Sequence, residues 1–272
     1  MEEIREAIGI DKVCMDGHVL FIEEQHGANA NFVLQAITSH CRNNNVITCF
    51  VLFHNTFGHF HNVGMKFGYN LRKCHGSSVK VVEPLKIISK NIGRENNDAS
   101  NTLDFSKPLE FDIKSRTDEL VKKLVKVIKE NCVLIKKEMP SQKVFLILDD
   151  LSHLFDLGLN IQDVWLFIRY LRSFVNVEPR LTLCIASHTN KVDQEAYPPN
   201  LVATGLEYFS DLVIHVQPLE TGYSKSVSGK MIISWKSQEE RLKFKWPEEI
   251  MYLYKLYDRQ VKLFAPGSSS IM

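Results

Sequence analysis

The stretch HVLFIEEQHGANAN, residues 18–31, begins with a run of apolar residues and ends in a short polar loop. The apolar run predicts a strand that is buried on both faces, as the strands of parallel sheets usually are. A helical pattern follows over residues 29–42, with apolar side chains recurring on one face. A strand, a loop and a helix make up the first half of a β-α-β unit. The stretch therefore predicts an α/β fold built on a parallel sheet.

The rest of the chain continues this alternation of strand and helix patterns. Residues 144–148, VFLIL, form the most apolar short run and predict a central strand. Further strands are predicted at residues 46–54, 78–85, 181–187 and 211–216, and helices at residues 57–71, from 117 onward, and at 163–175.

Two segments have a different character. Residues 89–116 are polar with little periodicity, which predicts a long surface loop. The region of about residues 217–267 alternates apolar and polar residues, which predicts an antiparallel extension of the sheet. We expect a single domain over residues 1–272. Within the extension, strands are predicted at residues 230–236, 241–246, 251–257 and 260–264.

The composition narrows the class of protein. The chain has 272 residues, of which 44% are hydrophobic, and a formal net charge of +1, so it carries no overall basic field that would attract nucleic acid. Its six cysteines form no C-x-x-C pair, which favours reduced thiols in the cytoplasm or the nucleus. The acidic first residues are unlike a signal peptide, and no apolar run approaches the roughly 20 residues that cross a bilayer.

The loop after the first strand occupies the place of the phosphate-binding loop G-x-x-x-x-G-K-[S/T] of P-loop NTPases. Backbone N–H groups of that loop surround the phosphates, its lysine neutralises them, and its hydroxyl binds Mg²⁺. In this chain Glu24 and Asn29 stand at the two glycine positions, Ala30 at the lysine and Asn31 at the hydroxyl, while Gly27 remains within the loop. No register restores the lysine. We therefore expect a β-to-α turn that binds no nucleotide and needs no cofactor.

The predicted central strand ends in Asp149 and Asp150. An acid at this point resembles the Walker B residue that orients Mg²⁺ in a P-loop NTPase. The alternative is that Asp150 or Ser152 caps the next helix. Without the phosphate lysine the capping role is favoured, and the pair is evidence for a RecA-like fold rather than for catalysis.

Three histidines, His54, His59 and His61, lie close together after the second strand. Imidazoles at this spacing can bind a metal ion, but no carboxylate or cysteine stands at a matching distance in the sequence. The sequence therefore predicts no metal site here.

The loop after the strand at residues 181–187 is the best candidate for contact with nucleic acid. In a RecA-like core this loop faces the central hole of a ring, and His188, Asn190 and Lys191 could bond to a phosphate backbone. A solvated loop is the alternative. Lys225 and Lys230 are weaker candidates, because such lysines commonly keep a hairpin soluble.

Four segments taken in order resemble subunit six of the Elongator complex. They are HNTFGHFHNVGMKFGYNL at residues 54–71, LDDLSHLFDLG at 148–158, LETGYSKSVSGKMIISWK at 219–236 and YLYKLYDRQVKLFAPG at 252–267. The resemblance covers about residues 18–267.

The resemblance implies a RecA-like fold without functional Walker motifs. It also implies a hetero-hexameric ring with two copies each of subunits four, five and six, which joins the larger Elongator subcomplex. The complex modifies the wobble uridine of certain transfer RNAs, and the ring is an accessory that binds tRNA. The carbon-transfer chemistry belongs to another subunit, so this chain is expected not to be an enzyme.

Two other functions are compatible with the sequence. One is an atypical RecA-like or KaiC-like ATPase that takes its lysine from a neighbour, and the other is an adaptor domain that forms no ring. Under the ring hypothesis large apolar side chains should lie at subunit contacts. The candidates are Trp235, Trp246 and Phe264.

Overall fold

In the computed structural model, the described residues form one sheet of nine strands, in the order β3-β2-β4-β5-β1-β6-β7-β8-β9. The model describes residues 1–86, 117–139, 141–178, 180–190, 197–220, 222 and 224–265. The strands are β1 (Val19–Gln25), β2 (Ile47–Val51), β3 (Val79–Val82), β4 (Val144–Leu148), β5 (Leu181–Thr189), β6 (Leu212–Gln217), β7 (Gly229–Trp235), β8 (Ile250–Leu256) and β9 (Val261–Phe264).

The described helices connect and cover these strands. They are α1 (Glu2–Ile8), α2 (Asn31–Asn43), α3 (Phe57–Lys66), α4 (Leu71–Cys74), α5 (Thr117–Glu138), α6 (His153–Asp156), α7 (Ile161–Val177), α8 (Pro198–Phe209) and α9 (Gln238–Phe244).

The first six strands are parallel, as the apolar runs predict. The strand β1 lies between β5 and β6, next to the last strand of the parallel part, and β4 is buried along its whole length. The strands β1 and β2 follow each other in the sequence, but β4 and β5 lie between them in the sheet. The chain must therefore cross over a face of the sheet, as a helix, to connect them. All parallel strands thus end at the same edge of the sheet, which brings the loops that follow them together.

Two apolar layers cover the two faces of the sheet. One contains side chains of α5, α7 and α8 against residues such as Phe21 and Leu146, and the other contains α1, α2 and α3 against residues such as Leu20 and Ile147. Neighbouring residues of a strand point to opposite faces, so both faces of β1 and β4 are buried. The expected mainly parallel sheet flanked by helices is confirmed.

The predicted antiparallel extension is also confirmed, with one correction. The strands β7, β8 and β9 pair antiparallel in sequence order, beginning on β6. Residues 241–246 do not form the predicted strand, because most of them lie in α9. The side chain of Ser237 accepts a hydrogen bond from the N–H of Glu240 and caps this helix. Two acidic residues in the first turn interact favourably with the positive end of the helix dipole. The alternating pattern of the segment was misleading because α9 buries none of its residues.

Other boundaries differ from the predictions in smaller ways. The predicted helix at residues 57–71 divides into α3 and α4, which are separated by Gly68 at φ 85°. The helices α1 and α8 had no sequence prediction. The polar segment at residues 89–116 lies outside the described residues, and the single-domain assignment stays a prediction. Among the helices of the described ranges, none has the length and apolar character needed to cross a membrane.

Candidate functional site

The carboxyl edge of the parallel strands gathers three ionisable side chains that are far apart in sequence. Glu24 comes from the end of β1, Asp150 follows β4, and His188 lies near the end of β5. Nδ1 of His188 lies 2.6 Å from Oδ2 of Asp150, and Nε2 of His188 lies 2.7 Å from Oε1 of Glu24. One imidazole therefore bridges two carboxylates at the place where a P-loop NTPase would hold the phosphates of its nucleotide.

The second oxygen of Glu24 occupies the loop itself. The N–H of Ala30 donates to Oε2 of Glu24 at 2.7 Å, just before α2 begins. Backbone N–H groups at the start of a helix are the groups that bind phosphate in a P-loop. Other N–H groups of the loop also have internal acceptors. His26 donates to the Thr189 carbonyl, Ala28 to the Gln25 carbonyl, and Asn31 to the Asn29 side chain.

Asp149, the first acid after β4, holds the loop that follows β2. Its carboxylate accepts the N–H groups of Phe53 at 2.6 Å, His54 at 3.2 Å and Asn55 at 2.6 Å. Burial raises the pKa of Asp149, although these backbone hydrogen bonds oppose the rise. The side chain is therefore a structural acceptor with little capacity left for an ion.

Asp150 and His188 stabilise each other's charged form. Burial alone would raise the pKa of Asp150, but the hydrogen bond and the charge of His188 outweigh it and lower that pKa. In turn the hydrogen bonds to Asp150 and Glu24 raise the pKa of His188 to about 10. At neutral pH the bridge is thus an imidazolium between two carboxylates. Oδ1 of Asp150 also accepts the N–H and the hydroxyl of Ser152. Ser152 is the N-cap of α6 but makes no side-chain cap hydrogen bond, so neither Asp150 nor Ser152 caps this helix in the predicted way.

A second buried carboxylate joins three neighbouring strands. Glu23, 4% exposed, accepts the hydroxyl of Thr189 on β5 at 2.8 Å and lies 2.5 Å from Nδ1 of His215 on β6. Glu23 and Glu24 thus place two negative charges at the end of β1, and each carboxylate has a histidine from an adjacent strand as its partner.

A magnesium-bound nucleotide does not fit these residues. The lysine position is Ala30, which is 1% exposed and carries no charge. The Glu24 carboxylate would face the phosphates at short range, and like charges in this place repel. Since Asp149 is already engaged with three N–H groups, the acid that would order the magnesium shell is also unavailable.

The histidines at positions 54, 59 and 61 do not converge. His54 is exposed and its Nδ1 lies 2.7 Å from Nε2 of His153, a residue of α6. His59 is exposed on α3, and His61 is 8% exposed with its Nδ1 unpartnered among the described residues.

The candidates for nucleic-acid contact have different positions. His188 is committed to the two carboxylates. Asn190 exchanges hydrogen bonds with the side chain of Asn200, and Lys191 lies outside the described residues. Lys225 is exposed after β6, whereas Lys230 pairs with Glu220 at 2.6 Å. Their contact with nucleic acid stays a prediction.

The candidate interface residues also differ in exposure. Trp235 is 3% exposed and its indole N–H donates to the carbonyl of Ile8, so it belongs to the interior of this chain. Trp246 is partly buried and stacks on Trp235, with ring centroids 5.4 Å apart. Phe264 is partly buried in β9. Trp246 and Phe264 thus retain surface for a neighbouring subunit, while Trp235 has almost none.

Sequence reasoning missed the partners of the acidic residues. The sequence gives no role to His153 or His215 and predicts His188 only as a candidate for contact with nucleic acid. The order of the strands decides these pairings, because β5 lies between β1 and β4 although it follows both in sequence. An available signal was the pair of acids at the end of β1 and after β4, because a buried acid requires a compensating cation.

Comparisons with known proteins agree with this architecture. A solved structure of an uncharacterised Pyrococcus horikoshii protein in complex with an unknown peptide superposes with a TM-score of 0.59, covering 98% of this chain and 98% of that chain at 13% identity. A KaiC-like protein of the same organism gives a TM-score of 0.56, covering 92% of this chain and 90% of that chain at 12% identity. These likenesses establish the RecA-like and KaiC-like fold.

Sequence relatives cover most of the chain. The Elongator complex protein 6 of Homo sapiens is 26% identical over 243 residues, 89% of this chain and 88% of that protein. Its namesake in Drosophila melanogaster is 24% identical over 266 residues, 97% of this chain and 96% of that protein, and the Xenopus laevis protein is 29% identical over 224 residues, 82% and 80% of the two chains. The model of the family described as Elongation complex protein 6 matches residues 7–258. The chain belongs to the Elongation complex protein 6 family.

Proposed function

We propose that this chain is a non-catalytic structural subunit of a hetero-hexameric RecA-like ring of the Elongator complex, where it supports wobble-uridine modification of tRNA. Membership of the family and the fold support the place in the complex. The observation that carries the non-catalytic role is the carboxylate of Glu24, which occupies the phosphate loop through the N–H of Ala30 and is bridged by His188 to Asp150. The partners are subunits four and five and the larger subcomplex.

The first test concerns nucleotide. The purified chain should neither bind nor hydrolyse ATP above the level of the Asp149→Ala variant, measured by equilibrium binding of a fluorescent ATP analogue and by phosphate release. ATP hydrolysis by the chain alone that Asp149→Ala abolishes would favour an atypical ATPase and contradict the proposal.

The second test concerns the ring. Co-expression of this chain with subunits four and five should give a six-chain species in native mass spectrometry, containing two copies of each. A chain that remains monomeric beside both partners would favour the adaptor alternative.

The third test concerns tRNA. Lys191 follows Asn190 in the sequence, and its positive side chain would contribute to phosphate binding and to its salt dependence. We expect Lys191→Glu to weaken retention of tRNA by the ring in a gel-shift assay at fixed salt, without changing assembly. Lys126→Glu, on an exposed face of α5, is the matched control. Equal tRNA affinity of the wild-type and Lys191→Glu rings would remove Lys191 from the tRNA-binding surface.

A further inference from the structure

A second cluster at the carboxyl edge shares Asp150 with the bridge to Glu24. It contains His54, from the loop after β2, and His153, the first residue of α6, together with Oδ2 of Asp150, the oxygen that also faces Nδ1 of His188. Nδ1 of His54 lies 2.7 Å from Nε2 of His153, and Nε2 of His153 lies 3.6 Å from Oδ2 of Asp150. One ligand atom from each of the three residues lies within 4.8 Å of the others.

We propose that His54, His153 and Asp150 form a binding site for one transition-metal ion of the Zn²⁺ class. Two imidazole nitrogens and one carboxylate oxygen are a ligand set that suits Zn²⁺, whereas Mg²⁺ and Ca²⁺ prefer oxygen ligands throughout. The site includes Asp150, one of the two acids that resemble a Walker B end, but it uses nitrogen ligands that P-loop chemistry does not require.

The surrounding contacts hold each ligand in position. Oδ2 of Asp156 lies 2.7 Å from Nδ1 of His153, so a proton on Nδ1 leaves the lone pair of Nε2 directed into the cluster. A carboxylate on the distal nitrogen of a histidine ligand is the usual device that orients it toward a metal. The backbone N–H of His54 is fixed by Asp149, and Asp150 is fixed by Ser152.

The distances require a small adjustment on metal binding. Two nitrogens that each lie about 2.0–2.1 Å from one tetrahedral ion are roughly 3.3 Å apart. The observed separation of 2.7 Å is shorter, and it equals an N–H···N hydrogen bond between the two rings. His54 is exposed and the side chain of His153 is 29% exposed, so both rings have room to separate. Three protein ligands leave a fourth position open to water or to a residue of a partner.

The experiment uses the full chain, free of any histidine tag and treated with a chelator, and titrates it with Zn²⁺ by calorimetry. We expect one ion per chain, and at least a tenfold loss of affinity in both His54→Ala and His153→Ala. His59→Ala, which removes an exposed histidine of α3 outside the cluster, should bind as the wild type does. Because the two substituted rings are exposed or half-exposed, circular dichroism melting curves should confirm that both variants are folded.

Substitution with Co²⁺ gives a second readout that unfolding does not imitate. A cobalt site of this composition should show d–d absorption bands of low-coordinate cobalt and no sulfur-to-cobalt charge-transfer band, which separates it from adventitious binding at the exposed Cys14. Failure of the wild-type chain to bind Zn²⁺, or binding that either His54→Ala or His153→Ala leaves unchanged, would overturn the proposal. The two rings would then be joined by their hydrogen bond alone. None of these outcomes depends on ring assembly or on ATP.

Discussion

At the scale of single residues, charge balance governs the edge where β1 and β4 end. Glu24 and Asp150 lie at the ends of two strands in a partly dehydrated edge, where isolated carboxylates are costly. His188 balances both, since its side chain is 38% exposed but contacts a carboxylate with each ring nitrogen. A nucleotide would have to displace this imidazolium and also overcome the repulsion of Glu24. Ala30, at the position of the P-loop lysine, donates its N–H to Glu24, and Glu24 is paired with His188.

The first prediction concerns the pH dependence of this bridge. His188→Gln should lower the free energy of unfolding by about 1.5–3 kcal/mol at pH 6, the range for hydrogen bonds to charged groups. The folded pKa of about 10 lies above the usual value near 6.5, so the stabilisation is complete below about pH 6.5 and is lost as the pH rises through about 10. Urea denaturation in the presence of a chelator at pH 6, 8 and 10.5 would measure it. His59→Gln is the control, and a constant difference across this range would contradict the prediction.

At the scale of elements, helix capping and close backbone contacts determine structure that the alternation of apolar and polar residues does not predict. The helix α9 begins at a serine cap where the pattern of residues 241–246 predicted a strand. The strands β7 and β8 do form, and their pairing places Gly229 opposite Tyr254. A Cβ atom at Gly229 would lie 2.5 Å from the carbonyl oxygen of Gln217 and 2.6 Å from the hydroxyl of Tyr254. Glycine is thus required here by the approach of the neighbouring strands.

The second prediction follows from that contact. Gly229→Ala should lower the free energy of unfolding by about 1–3 kcal/mol, because a methyl group would force a shift in backbone and in a Tyr254 ring that is 1% exposed. Gly58→Ala is the matched control. Its Cβ would meet only the Thr56 hydroxyl at 3.6 Å, and alanine in a helix gains up to about 1 kcal/mol over glycine. Chemical denaturation curves of the two variants should shift in opposite directions, and equal stability of Gly229→Ala and wild type would refute the steric argument.

At the scale of the whole molecule, a stack of aromatic rings joins the chain's beginning to its antiparallel extension. Trp246 stacks on Phe244 and on Trp235, and the Trp235 indole donates to α1. Gly9, at the end of α1, has a left-handed φ of 78° and would bring a Cβ atom within 2.5 Å of the Trp246 ring. The extension is therefore attached to the core by this stack as well as by the sheet, and it presents the outer side of Trp246 and Phe264.

The third prediction concerns ring assembly through this surface. Trp246→Ala and Phe264→Ala should each reduce the yield of the six-chain species in native mass spectrometry, since partly exposed aromatic residues are common anchors of interfaces. The loss of hexamer should exceed any loss of folded chain, which the melting temperature monitors. Val177→Ala, which changes a side chain 73% exposed at the end of α7, should alter neither quantity. Trp235→Ala should instead destabilise the chain itself by about 3–5 kcal/mol. An undiminished yield of the hexamer from both Trp246→Ala and Phe264→Ala would place the interface elsewhere.

The sequence by itself determined the α/β class, the positions of the parallel strands, the antiparallel extension and the missing phosphate lysine. These features depend on hydrophobic periodicity and on the identity of single residues, which are local properties. It could not assign the helix at residues 238–244, because periodicity in a surface segment of seven residues is ambiguous and the serine cap decided the outcome.

The tertiary structure alone decided which charges meet. Residues 24, 150 and 188 converge only because β5 lies between β1 and β4, and His54 meets His153 only because β2 lies beside β4. Strand order depends on how helices cross over the sheet and bury its two faces, which is a property of the whole chain. For that reason the sequence alone shows that Ala30 stands at the position of the P-loop lysine. Only the fold shows that the imidazolium of His188 bridges Glu24 and Asp150.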